Sequence, residues 1–133
     1  MAGIKLLVDT DIIIDALKGI KPARELFKRS EIDIYCSILT KKELFSKEGL
    51  KNSEKKKIEG ILSKVKILKV DSSIQRQFNL LLKKYGDRPD AVGDYIVAAT
   101  ALAKRLPLMT RNKKHFEHFK ELVLSPVYNI DPL

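Results

Sequence analysis

Short apolar runs alternate with helical stripes along this chain, and the alternation predicts its elements. Residues 4–8 are apolar nearly throughout, which is typical of a central parallel strand covered on both faces. Residues 32–37, 66–70 and 108–110 predict three more strands. Because predicted helices separate them, we expect an α/β fold in which helices flank a small parallel β-sheet as an α/β/α sandwich. Function is expected at the carboxyl ends of the strands.

Caps, prolines and apolar spacing mark the helices between these strands. Asp9 or Thr10 can cap a helix that runs through Leu17, and Pro22 begins another. Thr40 is a candidate cap for a third helix. Apolar stripes predict further helices over 58–65, 74–85 and 89–105, and a polar turn is predicted over 111–114.

The composition is that of one globular domain, which we expect to span residues 1–133. Hydrophobic residues make up 44% of the chain and charged residues 32%, so the chain can bury a core. Lys and Arg number 26 against 17 Asp and Glu, a net charge of +9. This excess favours a polyanionic partner such as nucleic acid or an acidic protein, with ordinary surface lysine as the alternative.

Cysteine usage and apolar content predict a cytoplasmic protein that does not associate with membranes. Cys36 is the only cysteine, and no apolar segment approaches the roughly 20 residues of a membrane span. The first residues lack a signal-peptide pattern. With one cysteine and two histidines the common zinc-ligand spacings are absent, so a metal site would use oxygen ligands. Oxygen ligands favour Mg²⁺ or Mn²⁺.

Three acidic residues lie beside segments whose apolar positions look buried. Asp9 ends the first strand, Glu43 falls in the third helix, and Asp94 opens the apolar run 94–101. Asp9 has an alternative as a helix cap, and Glu43 has one as the partner of Thr40 in a capping box. Together the three favour a shared divalent cation, because such carboxylates are costly unless positive charge meets them. Metal-assisted hydrolysis of a phosphate ester is the natural hypothesis.

Four motifs carry a family likeness. They are Val8-Asp9-Thr10, the stretch from Thr40 to Leu44, the run 94–101, and Thr110-Arg111-Asn112 followed by Phe116. In order and spacing these resemble the PIN-domain ribonucleases, and above all the VapC-type toxins of toxin-antitoxin pairs. The resemblance covers nearly the whole chain. It implies a metal-dependent endoribonuclease with an RNA substrate, an antitoxin partner and a homodimeric assembly.

The resemblance also implies the residues of the site. The catalytic metal ligands would be Asp9, Glu43 and Asp94, holding one or two Mg²⁺ or Mn²⁺ ions, with Thr10, Thr40 and Thr110 as polar supports.

The fourth motif departs from the family pattern. Where many members carry another acid, this chain has Asn112, which offers only a neutral carbonyl oxygen, so binding of a second ion is in question. Asp90 is an alternative ligand because it lies four residues before Asp94, although it also suits the first turn of a helix. Asp11 is expected to be a solvated or hydrogen-bonded residue of a first helical turn. Asp15 has two alternatives, support of the site or a salt bridge.

Basic residues flank the proposed site and predict contacts with an RNA backbone. The candidates are Arg111, Lys41, Lys42 and Lys113, with solvated helix faces as the alternative. Arg111 is the best single candidate because a guanidinium matches phosphate oxygens in a bidentate way. The histidines at 115 and 118 could act as acid or base, but a metal-bound water would make that role unnecessary.

Two other functions fit parts of the sequence. A PIN-like domain that binds RNA or protein without cutting would explain Asn112. A haloacid-dehalogenase-type phosphatase would use Asp9 as phosphoryl acceptor and Asp11 as acid, but the chain is short for that class and Glu43 would have no role.

Overall fold

The structure is a computed structural model that describes residues 3–130. Four parallel strands form one sheet in the order β3-β2-β1-β4, which confirms the predicted α/β/α architecture. Leu6 of β1 lies opposite Ile34 of β2, and Val8 lies opposite Met109 of β4. The strands are β1 Ile4–Val8, β2 Ile32–Ser37, β3 Lys66–Leu68 and β4 Leu108–Met109.

Helices connect and cover the strands. They are α1 Thr10–Leu17, α2 Lys21–Lys28, α3 Ile38–Phe45, α4 Asn52–Leu62, α5 Ser72–Tyr85, α6 Val92–Lys104 and α7 Lys113–Phe116, and a 3₁₀ turn spans Pro89–Ala91. Within residues 3–130, no helix has the length and apolar character to cross a membrane. The domain predicted for 1–133 includes positions 1–2 and 131–133, which lie outside the described residues.

Alternate side chains of β1 enter cores on opposite faces of the sheet. Leu6 and Val8 pack with residues of α1, α2 and α4 on one face. Leu7 packs with residues of α5 and α6 on the other. Leu7 and Val8 are almost wholly buried, so β1 is the central strand that its continuous apolar sequence predicts.

Several predicted boundaries shift, each for a local reason. Thr40 does not cap α3, because Ser37 at the end of β2 accepts the Leu39 N–H with its side chain and Thr40 lies inside the helix. The helix expected from Pro89 is divided, since the 3₁₀ turn precedes α6. Strand β3 ends at Leu68, ahead of Asp71, whose side chain caps α5. The turn expected over 111–114 ends in the short helix α7.

Candidate active site

The residues that follow strands β1 and β4 lie side by side at the carboxyl edge of the sheet. Asp9 follows β1 and Thr110 follows β4, and the Asp9 N–H donates to the Met109 carbonyl oxygen at 3.0 Å. The Asp9 carboxylate accepts the Thr10 N–H at 2.9 Å and so caps α1. Its other oxygen accepts the Thr110 hydroxyl at 3.0 Å. Asp9 is therefore both a helix cap, as predicted, and an oriented carboxylate at the carboxyl edge of the sheet.

A pocket of about 350 Å³ opens at this edge, and we call it the acidic pocket. Four carboxylates line it, one from the end of β1, one from the first turn of α1, one from α3 and one from the first turn of α6. The lining residues are Asp9, Thr10, Asp11, Ile14, Glu43, Gly93, Asp94, Val97, Asn112 and His115. The fold thus brings the three predicted acids together from positions up to 85 residues apart.

The structure distinguishes between the alternatives for a further ligand. Asn112 lines the acidic pocket with the predicted acids. Asp90 lies exposed on the 3₁₀ turn and does not line the pocket. The capping-box alternative for Glu43 is wrong, since its supposed partner Thr40 lies within α3. Thr40 instead accepts the Thr10 hydroxyl at 3.0 Å beneath the pocket, with only 1% of its surface exposed.

Burial, with a smaller contribution from neighbouring charges, raises the pKa values of Asp9 and Glu43. Burial, with the Asp11 charge next in importance, raises the pKa of Asp9 to about 6, although the Thr10 N–H and the Thr110 hydroxyl oppose the shift. Burial also raises the pKa of Glu43, with a smaller contribution from Asp94. A site that makes anions costly is one that favours a bound cation.

Asp11 belongs to the pocket, which the sequence alone did not indicate. One of its oxygens accepts the Arg111 N–H at 2.8 Å and lies 3.4 Å from the Thr110 hydroxyl. The other, Oδ1, is buried with no hydrogen-bond partner. The prediction of a hydrogen-bonded residue in a first turn is confirmed, but the unpartnered oxygen adds a ligand candidate. The only feature of the sequence that could have pointed to Asp11 as a pocket residue is its position two residues after Asp9.

His115 contacts one of the predicted ligands. Its Nδ1 lies 3.1 Å from an Asp94 carboxylate oxygen, and the imidazole lines the acidic pocket. The ring is 55% exposed, so this contact is open to solvent. His118 instead packs against Phe119, with ring centroids 4.0 Å apart, and does not line the pocket. The two histidines therefore have different surroundings, and only His115 lies where it can orient a carboxylate.

Comparison with known proteins places this site in a family. The family model of the PIN domain matches residues 6–122, which include every residue of the acidic pocket. The chain belongs to the PIN-domain family. The resemblance noted in the sequence is thereby confirmed.

Individual relatives of this PIN domain are ribonucleases by name. It is 35% identical over 125 residues to the ribonuclease VapC1 of Methanocaldococcus jannaschii, covering 91% of this chain and 85% of the relative. It is 28% identical over 121 residues to the ribonuclease VapC10 of Mycobacterium tuberculosis, covering 88% and 90%. The fold and length of this PIN domain thus match those of VapC proteins.

Solved structures agree with the fold. A toxin-antitoxin complex from Klebsiella pneumoniae has a chain 27% identical with a TM-score of 0.71, covering 89% of this PIN domain and 95% of that chain. VapBC2 from Rickettsia felis, solved with a DNA fragment of its promoter, gives a TM-score of 0.76 at 23% identity, covering 92% and 98%.

The donors of the acidic pocket fit a hard divalent cation in their chemistry. The four carboxylates and the Asn112 side chain supply oxygen atoms, which Mg²⁺ and Mn²⁺ prefer as ligands, and His115 contributes the one imidazole of the lining. The unpartnered, buried Oδ1 of Asp11 is a donor that a cation would satisfy. Within residues 3–130, no three His, Cys, Asp or Glu side chains form a ready ligand cluster. Coordination of one ion by three of these carboxylates would therefore require their side chains to come closer together.

Arg111 of this PIN domain has an internal partner. Its guanidinium donates two hydrogen bonds to the Asp15 carboxylate, at 2.6 and 2.9 Å. Asp15 is 2% exposed and also accepts the Tyr128 hydroxyl at 2.7 Å. Of the two alternatives for Asp15, the structure shows the salt bridge. The predicted phosphate contact of Arg111 thus competes with a bidentate ion pair inside the protein.

Two hollows flank the acidic pocket on different sides. One, which we call the apolar groove, has a volume of about 420 Å³ between α1, α3 and α4, and it shares Thr10, Ile14 and Glu43 with the acidic pocket. The other, which we call the basic cleft, has a volume of about 500 Å³ between residues 111–114 and 127–130, and it shares Asn112. Of the other predicted RNA contacts, Lys113 lines the basic cleft, while Lys41 and Lys42 are exposed on α3 and line neither hollow.

Proposed function

We propose that this PIN domain is an endoribonuclease that hydrolyses RNA phosphodiester bonds with Mg²⁺ or Mn²⁺ and acts as the toxin of a toxin-antitoxin pair. The observation that carries the proposal is the convergence of four carboxylates from three helices and a strand end on one pocket. The similarity to VapC ribonucleases supports the reaction, and the similarity to a chain of the Klebsiella pneumoniae toxin-antitoxin complex supports the biological pairing.

Each residue has a defined part in this proposal. Asp9, Glu43 and Asp94 would hold the ion, and the free oxygen of Asp11 is available as a further ligand. When bound, the ion would lower the pKa of a coordinated water and offset the charge of the phosphodiester. Thr110 fixes the Asp9 carboxylate by its hydroxyl hydrogen bond, and Thr10 links α1 to Thr40 of α3.

Paired substitutions in one segment test the metal mechanism. Asp94→Asn removes a carboxylate of the acidic pocket, whereas Asp90→Asn makes the same chemical change at an exposed position nearby. With Mn²⁺ present, we expect Asp94→Asn to cleave RNA at least about a hundredfold more slowly than the wild type, because it loses a metal ligand. Asp90→Asn should cleave at the wild-type rate, and EDTA should abolish cleavage.

The outcomes separate the proposal from its alternatives. Equal, EDTA-insensitive cleavage by the wild type and Asp94→Asn would exclude the mechanism. Mn²⁺ binding by calorimetry without cleavage would favour the domain that binds but does not cut. The phosphatase alternative is disfavoured because the chain matches the PIN model and the Arg111 N–H already occupies one oxygen of Asp11.

The apolar groove supports the partner in this proposal. Its floor consists of apolar side chains from α1, α3 and α4 and the loop between α3 and α4, namely Ile14, Leu17, Leu44, Leu50 and Ile58. Charged residues also line it, namely Lys18, Glu43, Lys47, Glu54 and Lys57, and Lys47 is paired with Glu54. Lys18 and Lys57 form no ion pair within residues 3–130, so an amphipathic antitoxin segment with acidic residues opposite them would fit. Helix α4 contributes Glu54, Lys57 and Ile58 to the lining of this groove, whereas α2 does not line it. A homodimer and a cytoplasmic location stay predictions, which light scattering and cell fractionation would test.

A further inference from the structure

The residues of 3–130 that line the basic cleft include three cations and no carboxylate. Arg111, Lys113 and Lys114 line one side of it, and Val127, Tyr128, Asn129 and Ile130 form the other, with Asn112 between the cleft and the acidic pocket. The lining of the acidic pocket is the opposite, with four carboxylates and no Lys or Arg. An anionic ligand is therefore favoured in the cleft and a cation in the pocket.

A single buried carboxylate fixes both walls of the cleft. Asp15 binds the Arg111 guanidinium of one wall through two hydrogen bonds and the Tyr128 hydroxyl of the other through a third. Because Asp15 is 2% exposed, this linkage lies beneath the cleft and is shielded from water. The cleft is thus a supported feature of the fold, although residues 111 and 128 are 17 positions apart.

The same linkage decides which cations are available to a ligand. The guanidinium of Arg111 already contacts Asp15, so it stabilises the wall. Lys113 and Lys114 are exposed, and neither forms an ion pair with a carboxylate of residues 3–130. Two adjacent ammonium groups beside Asn112 are suited to contact successive phosphates of a chain that leaves the acidic pocket.

We propose that the basic cleft holds the RNA strand on one side of the cut, with Lys113 and Lys114 contacting backbone phosphates. The proposal rests on the ribonuclease function and adds the path of the substrate. Continuity at Asn112 supports it, because a phosphodiester in the acidic pocket would lie at the mouth of the cleft. The apolar residues Val127 and Ile130 would face sugars or bases. The phosphate contacts of Lys113 and Lys114 fix the path of the strand and carry little sequence information.

Binding of RNA by a cleavage-deficient protein tests the path. In the Asp94→Asn background, a labelled single-stranded oligouridylate is titrated by fluorescence anisotropy at several salt concentrations. Lys113→Gln/Lys114→Gln should weaken binding about tenfold and should lower the slope of log K against log salt by about 1.4, since each lost phosphate contact removes about 0.7. The matched control is Lys55→Gln/Lys56→Gln, an exposed adjacent pair on α4 with the same change of charge. It should stay within about twofold of the parent.

The results distinguish this inference from the function on which it rests. If the parent binds RNA and the two double variants bind equally, the cleft is not the path, while the ribonuclease proposal stands or falls on the cleavage test above. If the parent binds no RNA although the wild type cleaves RNA, the cleft proposal is overturned and the ribonuclease proposal stands. If the wild type also fails to cleave, both are overturned. Circular dichroism confirms that each variant is folded, so that a loss of binding reports on the cleft.

Discussion

The apolar groove and the basic cleft differ in chemistry although both adjoin the same acidic pocket. The groove has an apolar floor with a charged rim, and it touches the pocket at Thr10, Ile14 and Glu43. The cleft has cations on one wall and touches the pocket at Asn112. The contrast indicates that one side is suited to a protein helix and the other to a nucleic acid strand. A protein bound in the apolar groove would lie against Glu43, which also lines the acidic pocket. Such a partner could therefore affect the acidic pocket and still leave the basic cleft open.

The largest expected effect concerns the support beneath the basic cleft. Arg111→Ala would leave the buried Asp15 carboxylate with Tyr128 as its remaining side-chain partner. We expect the free energy of unfolding to fall by about 3 kcal/mol, the lower part of the range for a broken buried pair, because the Arg111 side chain is 38% exposed. Urea denaturation measures the change.

An exposed pair supplies the control for this prediction. Arg29 and Glu31 also form an ion pair, but both side chains are at least half exposed. Arg29→Ala should therefore cost less than about 1 kcal/mol. If Arg111→Ala lowers the free energy of unfolding no more than Arg29→Ala does, the ion pair with Asp15 does not stabilise the walls of the basic cleft. The contrast between a supported cleft and an exposed surface would then be wrong.

The next effect concerns the acidic pocket between the hollows. The pKa of Asp9 is raised from 3.8 to about 6, so the fold favours its protonated form. The stability from this group is fully present below the unfolded pKa and is lost as the pH rises through the folded pKa. Asp9→Asn keeps an oxygen for the Thr10 N–H and removes the charge. In EDTA at about pH 8, it should raise the free energy of unfolding by about 2 kcal/mol, because the gain of about 3 kcal/mol from the pKa shift is offset by weakening of the hydrogen bond from the Thr110 hydroxyl.

The pH dependence of this gain is the decisive measurement. Below about pH 3 the gain of Asp9→Asn should vanish, because the wild-type carboxyl is then protonated in both states. Asp90→Asn, at an exposed position, should show little change at either pH. If the gain persists in acid, the ionised Asp9 carboxylate does not destabilise the folded protein. The acidic pocket would then not differ from the basic cleft in its preference for a cation.

The strands of the sheet were predicted well because a strand buried on both faces has a continuous apolar sequence. Strand β1 is apolar at consecutive positions since it is covered on both faces, and it was predicted with its observed bounds, Ile4–Val8. The start of α3 was harder to predict. Thr40 and Glu43 have capping-box spacing, but β2 ends at Ser37 and this residue takes the cap first. The length of a paired strand is a tertiary property, so the local pattern was misleading.

Some residues of the site could be predicted from their local sequence, whereas contacts between distant positions could not. Asp9, Glu43 and Asp94 were predicted as site residues because each stands out against apolar neighbours and matches a family motif, and the structure brings the three to one pocket. The partners of Asp11 and Arg111 could not be found. Asp11 accepts the N–H of a residue 100 positions later, and Arg111 is paired with an aspartate 96 positions earlier. Neither contact leaves a trace in the spacing of nearby residues.

The smallest expected effect tests the two hollows against each other. Lys18→Glu/Lys57→Glu reverses two charges on the rim of the apolar groove, and Lys55→Glu/Lys56→Glu makes the same change outside its lining. We expect the rim variant to bind its antitoxin about fivefold more weakly, since exposed charges act mainly through steering and modest attraction. Its affinity for oligouridylate should equal that of the control.

The opposite pattern is expected for Lys113→Gln/Lys114→Gln, which should lose RNA affinity and keep antitoxin affinity. Calorimetry and anisotropy on the same preparations measure both. If either variant loses both affinities equally, the hollows form one continuous binding surface, and their different linings do not separate protein from RNA.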